Sequence, residues 1–482
     1  MQQNLQKIEQ RSRKHLYEAV AERIAYLIDQ GTFKTSDKIP SLRKLSRQMK
    51  VSINTVKEAY NYLEDRRIIE ARPQSGYYVC GCRCDIPKEQ EIKTDLFNPT
   101  TISTSELAMQ IMRDCSDPNL VQFGAAIPET GLLPIKKLNR MLSSEARRYQ
   151  SESVNYSIPP GCLKLREQIA KRMLHCGCTL SPDEIVITNG GTEAIYLALK
   201  SVCKPGDILA IESPVYFNFM EIIQELDLKA IEIPSSPRDG ISIDALKYAL
   251  SQQRIQACLV ISNFSNPLGG QIPDAKKEEL VNLLAQHGIP LIEDDVHGDL
   301  SYNYDRSSVA KAYDKKNTVI LCSSFSKTLS PGYRVGWVVP GKFQSRVEQL
   351  KLIYNIGSSI PAQLAIAEFL ANGGYSHHLR SICRIYEKKV MMMRDAIGRF
   401  FPEGTCVTNP KGGFILWIQL PDSVDSRCLY WEAKKLGISI SPGIIFSATG
   451  QFNNYIRLNA AFYSETNQWA VETLGKIISK FC

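Results

Sequence analysis

No stretch of the 482-residue chain approaches the roughly 18 consecutive apolar residues that a membrane-crossing helix needs. No apolar core follows the polar opening MQQNLQKIEQRSRK either, so no secretory leader is expected there. The 14 cysteines are scattered and lack the CxxC pairs that hold structural zinc. Without an export signal, a disulfide framework is not expected in a chain this long. Cys80, Cys82 and Cys84 crowd into CGCRC, and Cys176 and Cys178 into CGC, with no matching ligands at set spacing. Oxidation-sensitive thiols, or no special role, are the readings left for them. The composition is 44% hydrophobic and 22% charged, which excludes a disordered, collagen-like or coiled-coil chain. The expectation is a cytoplasmic protein with several cores, about three domains at roughly 150 residues each.

Charge is placed unevenly. The net charge is +8, and residues 1–80 hold 15 Lys or Arg against 9 Asp or Glu. A small basic domain on a nearly neutral body points to nucleic acid at one end. A solubilising face is the bland alternative.

The local pattern in that basic segment is specific. In HLYEAVAERIAYLIDQ, Leu16, Val20, Ile24, Leu27 and Ile28 share one helical face, and Gly31 stops the helix. Ser41 can cap a second helix running to about Met49, and Ser52 a third whose buried stripe is Val56, Tyr60 and Leu63. IIEARPQSGYYV then reads as two strands around a Pro-Gln-Ser-Gly turn. The result is a winged helix-turn-helix. Its third helix exposes Ile53, Asn54, Thr55, Lys57 and Glu58. Asn54 can read a base edge, Thr55 a phosphate or thymine methyl, and Lys57 a phosphate. Arg43 and Lys44 on the preceding helix would face the DNA backbone. A basic module that binds protein is the competing reading.

PSLRKLSRQMKVSINTVKEAYNYLEDRRIIEARPQSGYYV resembles the DNA-binding domain of GntR-type regulators over residues 15–79. The resemblance implies duplex DNA as partner, with Arg43, Lys44, Ser52, Asn54, Thr55 and Lys57 at the interface. Ile53 stands where that family often has Arg, and Arg67 where it often has Gly. The domain is expected over 1–80. Residues 81–115 are polar and aperiodic and read as a linker, with a short helix near 105–113.

From about 120 onward, helical stretches alternate with the apolar runs DEIVITN, DILAIE, ACLVISN, IPLIEDD, TVILCSS and RVGWVVP. Such alternation predicts an α/β domain over 116–482, with a mostly parallel sheet flanked by helices. Ligands of such sheets sit at the carboxyl ends of the strands. There Gly190, Gly191 and Thr192 open a helix, a place where bare amides take an anion. Ser324, Ser326, Lys327 and Arg334 supply hydroxyls, an ammonium and a guanidinium, the set a phosphate ester wants. Asp294 ends a buried run and needs a cationic partner. Taken singly each feature is weak, since Gly-Gly-Thr is more often a plain turn.

In this order they resemble the fold-type I pyridoxal phosphate enzymes of the aspartate aminotransferase class, from about Phe123 to Phe462, with a smaller C-terminal subdomain. SFSKTLSPGYRVGW is similar to the family's Schiff-base motif, which implies Lys327 as the attachment lysine. Ser324, Arg334, Gly191 and Thr192 would bind the phosphate of pyridoxal 5'-phosphate. The resemblance further implies Asn266 on the ring hydroxyl, Asp294 on the pyridine nitrogen and Tyr216 stacked on the ring. Tyr156 would reach the phosphate of a neighbouring subunit, and Arg457 would grip a substrate carboxylate. His297 stands where aminotransferases usually have Tyr. Its ordinary pKa leads us to expect a cofactor site responsive to pH between about 5 and 8.

A GntR-type winged helix ahead of an aminotransferase-like domain resembles the MocR-type regulators. That resemblance implies a head-to-tail homodimer, acting on the nucleoid, that binds operators with repeated half-sites and senses a small amino compound through the cofactor. A working aminotransferase with a tethered DNA-binding domain is the alternative. No metal site and no membrane segment are expected, and transamination should be slow or stop at a half-reaction, because nothing in the sequence ensures release of product.

Overall fold

The computed structural model describes residues 16–34, 37–65, 68–72, 75–80, 99–101, 106–303 and 305–482. Arg67, Pro73, Gln74, Cys82 and Cys84 therefore lie outside the described residues. The chain divides into two compact units, residues 1–83 with 391–400, and residues 84–390 with 401–482. The second is larger than a typical domain and carries two main sheets.

In the small unit, helices α1 (Leu16–Asp29), α2 (Leu42–Met49) and α3 (Ile53–Asp65) precede a hairpin of β1 (Ile69–Arg72) and β2 (Gly76–Val79). The caps form as the sequence predicts. Ser41 Oγ accepts from the Lys44 amide at 3.4 Å, and Ser52 Oγ from the Thr55 amide at 3.0 Å. Val20, Ile24, Leu45, Val56, Tyr60, Leu63, Ile69 and Val79 form one core. The Tyr60 ring fills its centre while its hydroxyl donates to the Pro40 carbonyl, so the buried polar tip is satisfied. Leu16, expected on the buried stripe, is exposed.

The large unit is built on a nine-stranded sheet. Its strands are β3 (Thr100–Thr101), β4 (Val186–Thr188), β5 (Ile208–Ser213), β6 (Lys229–Ser236), β7 (Ile255–Ile261), β8 (Leu291–Asp294), β9 (Val319–Ser324) and β10 (Gly336–Val339), with Gly240–Ile241 beside β6. The order is β3-β6-β5-β7-β8-β9-β10-β4. The five central strands are parallel, and β10 lies antiparallel to both neighbours. Central strands are buried residue after residue, as a sheet covered on both faces requires. The α/β architecture is the one predicted.

Helices used below are α4 (Glu106–Asp114), α5 (Leu163–Met173), α6 (Gly191–Val202), α7 (Phe217–Glu225) and α8 (Gly374–Phe400). The short helix expected near 105–113 is α4, with Ala108, Ile111 and Asp114 buried. Part of the tract expected as linker is thus structured within the large unit. The C-terminal part carries an antiparallel sheet of β11 (Cys406–Val407), β12 (Ile415–Gln419), β13 (Ser441–Pro442) and β14 (Tyr455–Asn459), in the order β11-β12-β14-β13. Among the described residues no helix is long and apolar enough to cross a membrane, and no cluster of His, Cys, Asp or Glu could hold a metal ion.

Candidate functional site

The register of the large sheet sets the site. Asp294 is the last rung of β8, opposite Ile261 on β7 and Cys322 on β9. Ser324, ending β9, lies opposite Gly336, which in turn lies opposite Thr188. The loops that carry Gly190 and Gly191, Asn266, Asp294, His297 and Lys327 therefore leave the sheet at one end.

At one edge of this end, α6 starts at Gly191 with free amides. Gly190 holds φ +84°, and a Cβ there would lie 2.4 Å from Arg334 Nη2. Only glycine leaves room for the guanidinium, which donates to the Asn189 carbonyl at 2.9 Å and the Pro331 carbonyl at 3.2 Å. Arg334 is itself exposed and has no carboxylate partner among the described residues. Ser324 Oγ is buried and accepts from the Ser326 amide at 3.3 Å. Thr192 is exposed in the first turn of α6. A positive group, a hydroxyl and helix amides thus share a cradle suited to an anion.

The interior holds the titratable groups. Asp294 is buried, and its Oδ1 accepts from the Val296 amide at 2.9 Å. Burial pushes its carboxyl up to about 7, and Asp295 adds to the rise. Lys327 opposes this rise without cancelling it. Lys327 donates to the Ala126 carbonyl at 2.6 Å. Burial, and then the guanidinium of Arg457, bring its ammonium down to about 8, with Asp294 opposing and Arg334 assisting. That raises the fraction of free amine at neutral pH by about two orders of magnitude, which favours attack on a carbonyl.

Arg457, in mid-β14, is fully buried. Its Nη1 donates to Asn266 Oδ1 at 3.0 Å, and its Nη2 to Ser441 Oγ at 2.9 Å and to the Gly124 carbonyl. Its plane lies over the Phe446 ring at 5.1 Å. Its Nε has no partner among the described residues. Burial lowers its pKa to about 10, and Tyr216 works the other way. Tyr216 caps the start of α7, and its hydroxyl is held above the ordinary phenol value by burial first.

His297 is buried, its Nε2 has no partner among the described residues, and its ring meets Phe414 edge-on at 5.8 Å. Burial, followed by the nearby Lys327 and Arg457, depresses it to about 3. In the unloaded site this takes imidazole protonation out of the window between about pH 5 and 8. A histidine between two cations in a dry site stays neutral across that window. In NMR of the unloaded protein, the His297 resonances should stay flat from about pH 5 to 8. A midpoint inside that range would overturn this placement.

Lys327, Asp294, His297, Arg457, Asn266 and Tyr216 are thus brought together, with Gly191, Ser324 and Arg334 at the adjoining cradle. Tyr156 is not joined to them within the chain. It is 80% exposed, between exposed Val154 and Ile158. On the small unit, Arg43, Lys44, Ser52, Asn54 and Lys57 are exposed, while Thr55 is half-buried and bonded to the Ser52 hydroxyl at 2.8 Å. Sequence reasoning missed Ser441, Gly124 and Ala126, which hold Arg457 and Lys327. Two of them act through backbone carbonyls, which leave no signal in residue type.

Known proteins share both units. Residues 122–474 match the family model of aminotransferases class I and II. Residues 16–79 match that of bacterial regulatory proteins of the gntR family. The chain is 37% identical to the uncharacterised HTH-type transcriptional regulator YjiR of Escherichia coli (strain K12), over 96% of this chain and 98% of that protein. It is 27% identical to the HTH-type transcriptional regulator NorG of Staphylococcus aureus (strain USA300), over 89% and 96%. Among solved structures it resembles LysN, the α-aminoadipate aminotransferase of Thermus thermophilus, complexed with N-(5'-phosphopyridoxyl)-L-leucine. There the TM-score is 0.72 at 25% identity, over 79% of this chain and 96% of that one.

Proposed function

Because the chain belongs to the class I and II aminotransferase family and carries a GntR-type DNA-binding domain in front, the MocR-type arrangement, we propose that it is a transcriptional regulator that senses an amino compound through pyridoxal phosphate held on Lys327. One observation carries this reading. A lowered ammonium, a carboxyl raised by burial and a guanidinium whose Nε–H has no partner among the described residues lie within electrostatic reach of one another.

The residues fit the cofactor. The orphan Nε2 of His297 and the glycine cradle at Gly190 match a group with a ring oxygen and a phosphate. When bound, this group supplies an aldehyde carbon that condenses with amines and a ring that withdraws electrons. Lys327 offers the free amine. Asp294 holds a proton at the ring nitrogen, and that cation answers the cost of burying the carboxylate. Asn266 and neutral His297 orient the ring hydroxyl, and Tyr216 covers the ring face. Gly191, Thr192, Ser324 and Arg334 take the phosphate. Arg457 takes the effector's carboxylate, which argues for an amino acid-like effector over a simple amine.

The protein acts in the cytoplasm, where its DNA is. It works as a head-to-tail homodimer in which Tyr156 crosses to the partner's phosphate, a role its exposure and apolar flanks support. Two winged helices then meet two half-sites, spaced by about 10 base pairs or a multiple.

DNA affinity should be measured on the full-length dimer while a panel of amino acids and amines is titrated, with absorbance recorded in parallel. The effector must bind two conformations unequally to have any effect. A change in DNA affinity of roughly five- to 150-fold is expected, and Arg457→Ala should abolish it for carboxylate-bearing amines. If absorbance responds but DNA affinity never does, the sensor reading fails. The alternative, a working aminotransferase, then gains, since Lys327, Asp294 and Arg457 are also what turnover needs.

A further inference from the structure

Behind the site runs a chain of charges and hydroxyls that the cofactor reading does not use. Asp295 follows Asp294, Asp299 lies two residues past His297, and Thr328 follows Lys327. Arg306 bridges the two carboxylates, bonding Asp295 through Nη2 and Asp299 through Nε at 2.7 Å. Arg172, on α5, bonds the same Asp299 at 3.0 Å. Two carboxylates and two guanidiniums alternate, so the four largely buried charges sum to zero, as burial requires. Burial alone would raise the Asp299 carboxyl, but Arg172 and Arg306 outweigh it and hold it at about 2.

The chain continues from Asp299 to α8. The Tyr375 hydroxyl lies 2.6 Å from Asp299 Oδ2 and 3.0 Å from Thr328 Oγ1. A phenol has one proton and a carboxylate can only accept, so that proton goes to Asp299 and the Thr328 hydroxyl completes the second bond. The Arg172 guanidinium stacks over the Tyr375 ring at 4.3 Å. One turn along α8, His378 Nε2 meets the Thr328 carbonyl at 2.7 Å. Thr328 is thereby fixed through both side chain and backbone. At the other end, Asn263 Nδ2 donates to Asp295 Oδ1 at 2.8 Å, and Lys277 Nζ to Asn263 Oδ1 at 3.0 Å. Gly298 permits the crossing, since a Cβ there would stand 2.2 Å from both Arg306 Nη1 and Asp295 Oδ1.

We propose that Asp299, Arg306 and Tyr375 are positioning residues for Lys327, tying the segment that carries Asp294 and His297 to Thr328 so that the attacking amine is held against its partners from behind. This rests on Lys327 being the reactive amine of the proposed function. Lys327 is half-buried, and it keeps its free-amine character only while it stays withdrawn from bulk water and within reach of Arg457. A loop anchored at the very next residue has little freedom to swing the ammonium out, whereas an unanchored one would let it reach water.

The test uses cofactor-free, full-length protein. Acetylation of Lys327 is followed by peptide mass spectrometry between about pH 6 and 10, which reads the amine's protonation without any cofactor. The wild-type midpoint is expected near 8. Tyr375→Phe and Thr328→Val should each move it up by about one pH unit, a tenfold loss of free amine at neutral pH. Both should weaken pyridoxal phosphate binding about tenfold, while Thr328→Ser, which keeps the hydroxyl, should behave as wild type. A lower melting temperature with an unmoved midpoint in Thr328→Val would reduce the chain to a merely structural role and overturn the proposal. Should Tyr375→Phe not fold, Thr328→Val and Gly298→Ala decide the matter. A midpoint that moves as expected in a protein that never takes up the cofactor would uphold the tie and sink the cofactor reading instead.

Discussion

Replacing Lys327 with Ala is expected to abolish covalent attachment of pyridoxal phosphate while leaving the fold intact. After borohydride treatment of the wild type, the label should map to the peptide containing Lys327 and to no other lysine. Stability should not fall in the cofactor-free variant, and the sign follows from the depressed pKa. A folded-state value of about 8, against 10.5 unfolded, means that the folded chain binds the proton less tightly. Below about pH 8 the ionised ammonium therefore costs the fold roughly 3 kcal/mol, and this cost disappears as pH rises through 10.5. Removing the side chain also forfeits its hydrogen bond to the Ala126 carbonyl, worth about 1 kcal/mol, and some packing. The unfolding free energy of Lys327→Ala at neutral pH should thus equal the wild type's or exceed it by about 1–2 kcal/mol. A label on a different lysine, or a variant less stable by more than about 2 kcal/mol, would contradict the assignment of a strained, reactive amine.

How far the sequence reveals this site depends on where each group's information lies. Side chains at strand ends are legible because the apolar runs mark the strands and the polar residues after them have one place to go. Asp294 and Ser324 were found that way. The strand β6 was not anticipated, because KAIEIPSS mixes Glu and Pro into a short apolar run. Its Glu232 is buried and accepts from Thr449, Ser447 and the Ala448 amide, partners more than 200 residues away. Nothing local announces such an arrangement.

The same limit applies to electrostatics. His297 was legible as a departure from tyrosine, but not its protonation, which follows first from burial and then from Lys327 and Arg457 converging on it from elsewhere in the chain. The family resemblance implies a carboxylate clamp at Arg457, but nothing in the sequence announces its bonds to Asn266 through Nη1 and to Ser441 and Gly124 through both Nη2 donors. Nε–H and the second Nη1–H are left for an entering carboxylate. The Asp295–Arg306–Asp299–Tyr375 chain is the extreme case. Its members are ordinary polar residues in sequence, and only folding sets them in alternation. The winged helix lies at the opposite extreme, since its caps, stripe and hairpin are all local, and all but the buried end at Leu16 form as read.

Deleting residues 1–80 should eliminate duplex binding, and the intact protein should bind mostly through phosphates. For six to ten phosphate contacts, affinity should fall by about 10³ to 10⁵ between roughly 50 and 200 mM salt, because each neutralised phosphate releases counterion. Arg43 and Asn54 should then separate the two kinds of contact. Arg43 is exposed on α2, so Arg43→Ala should weaken every sequence alike and reduce the salt slope by about one. Asn54 is exposed on the first turn of α3, beside the cap that Ser52 makes. Asn54→Ala should leave the salt slope unchanged but cost about 1–3 kcal/mol at one base position of each half-site. Next to it Ile53 presents an apolar side chain where a charged one would add affinity for guanine, so the site should prefer contact with a thymine methyl there. Ile53→Arg should shift that preference toward guanine and steepen the salt dependence. Equal binding by the protein lacking residues 1–80, or a loss of the same size for all sequences on Asn54→Ala, would remove base reading from α3.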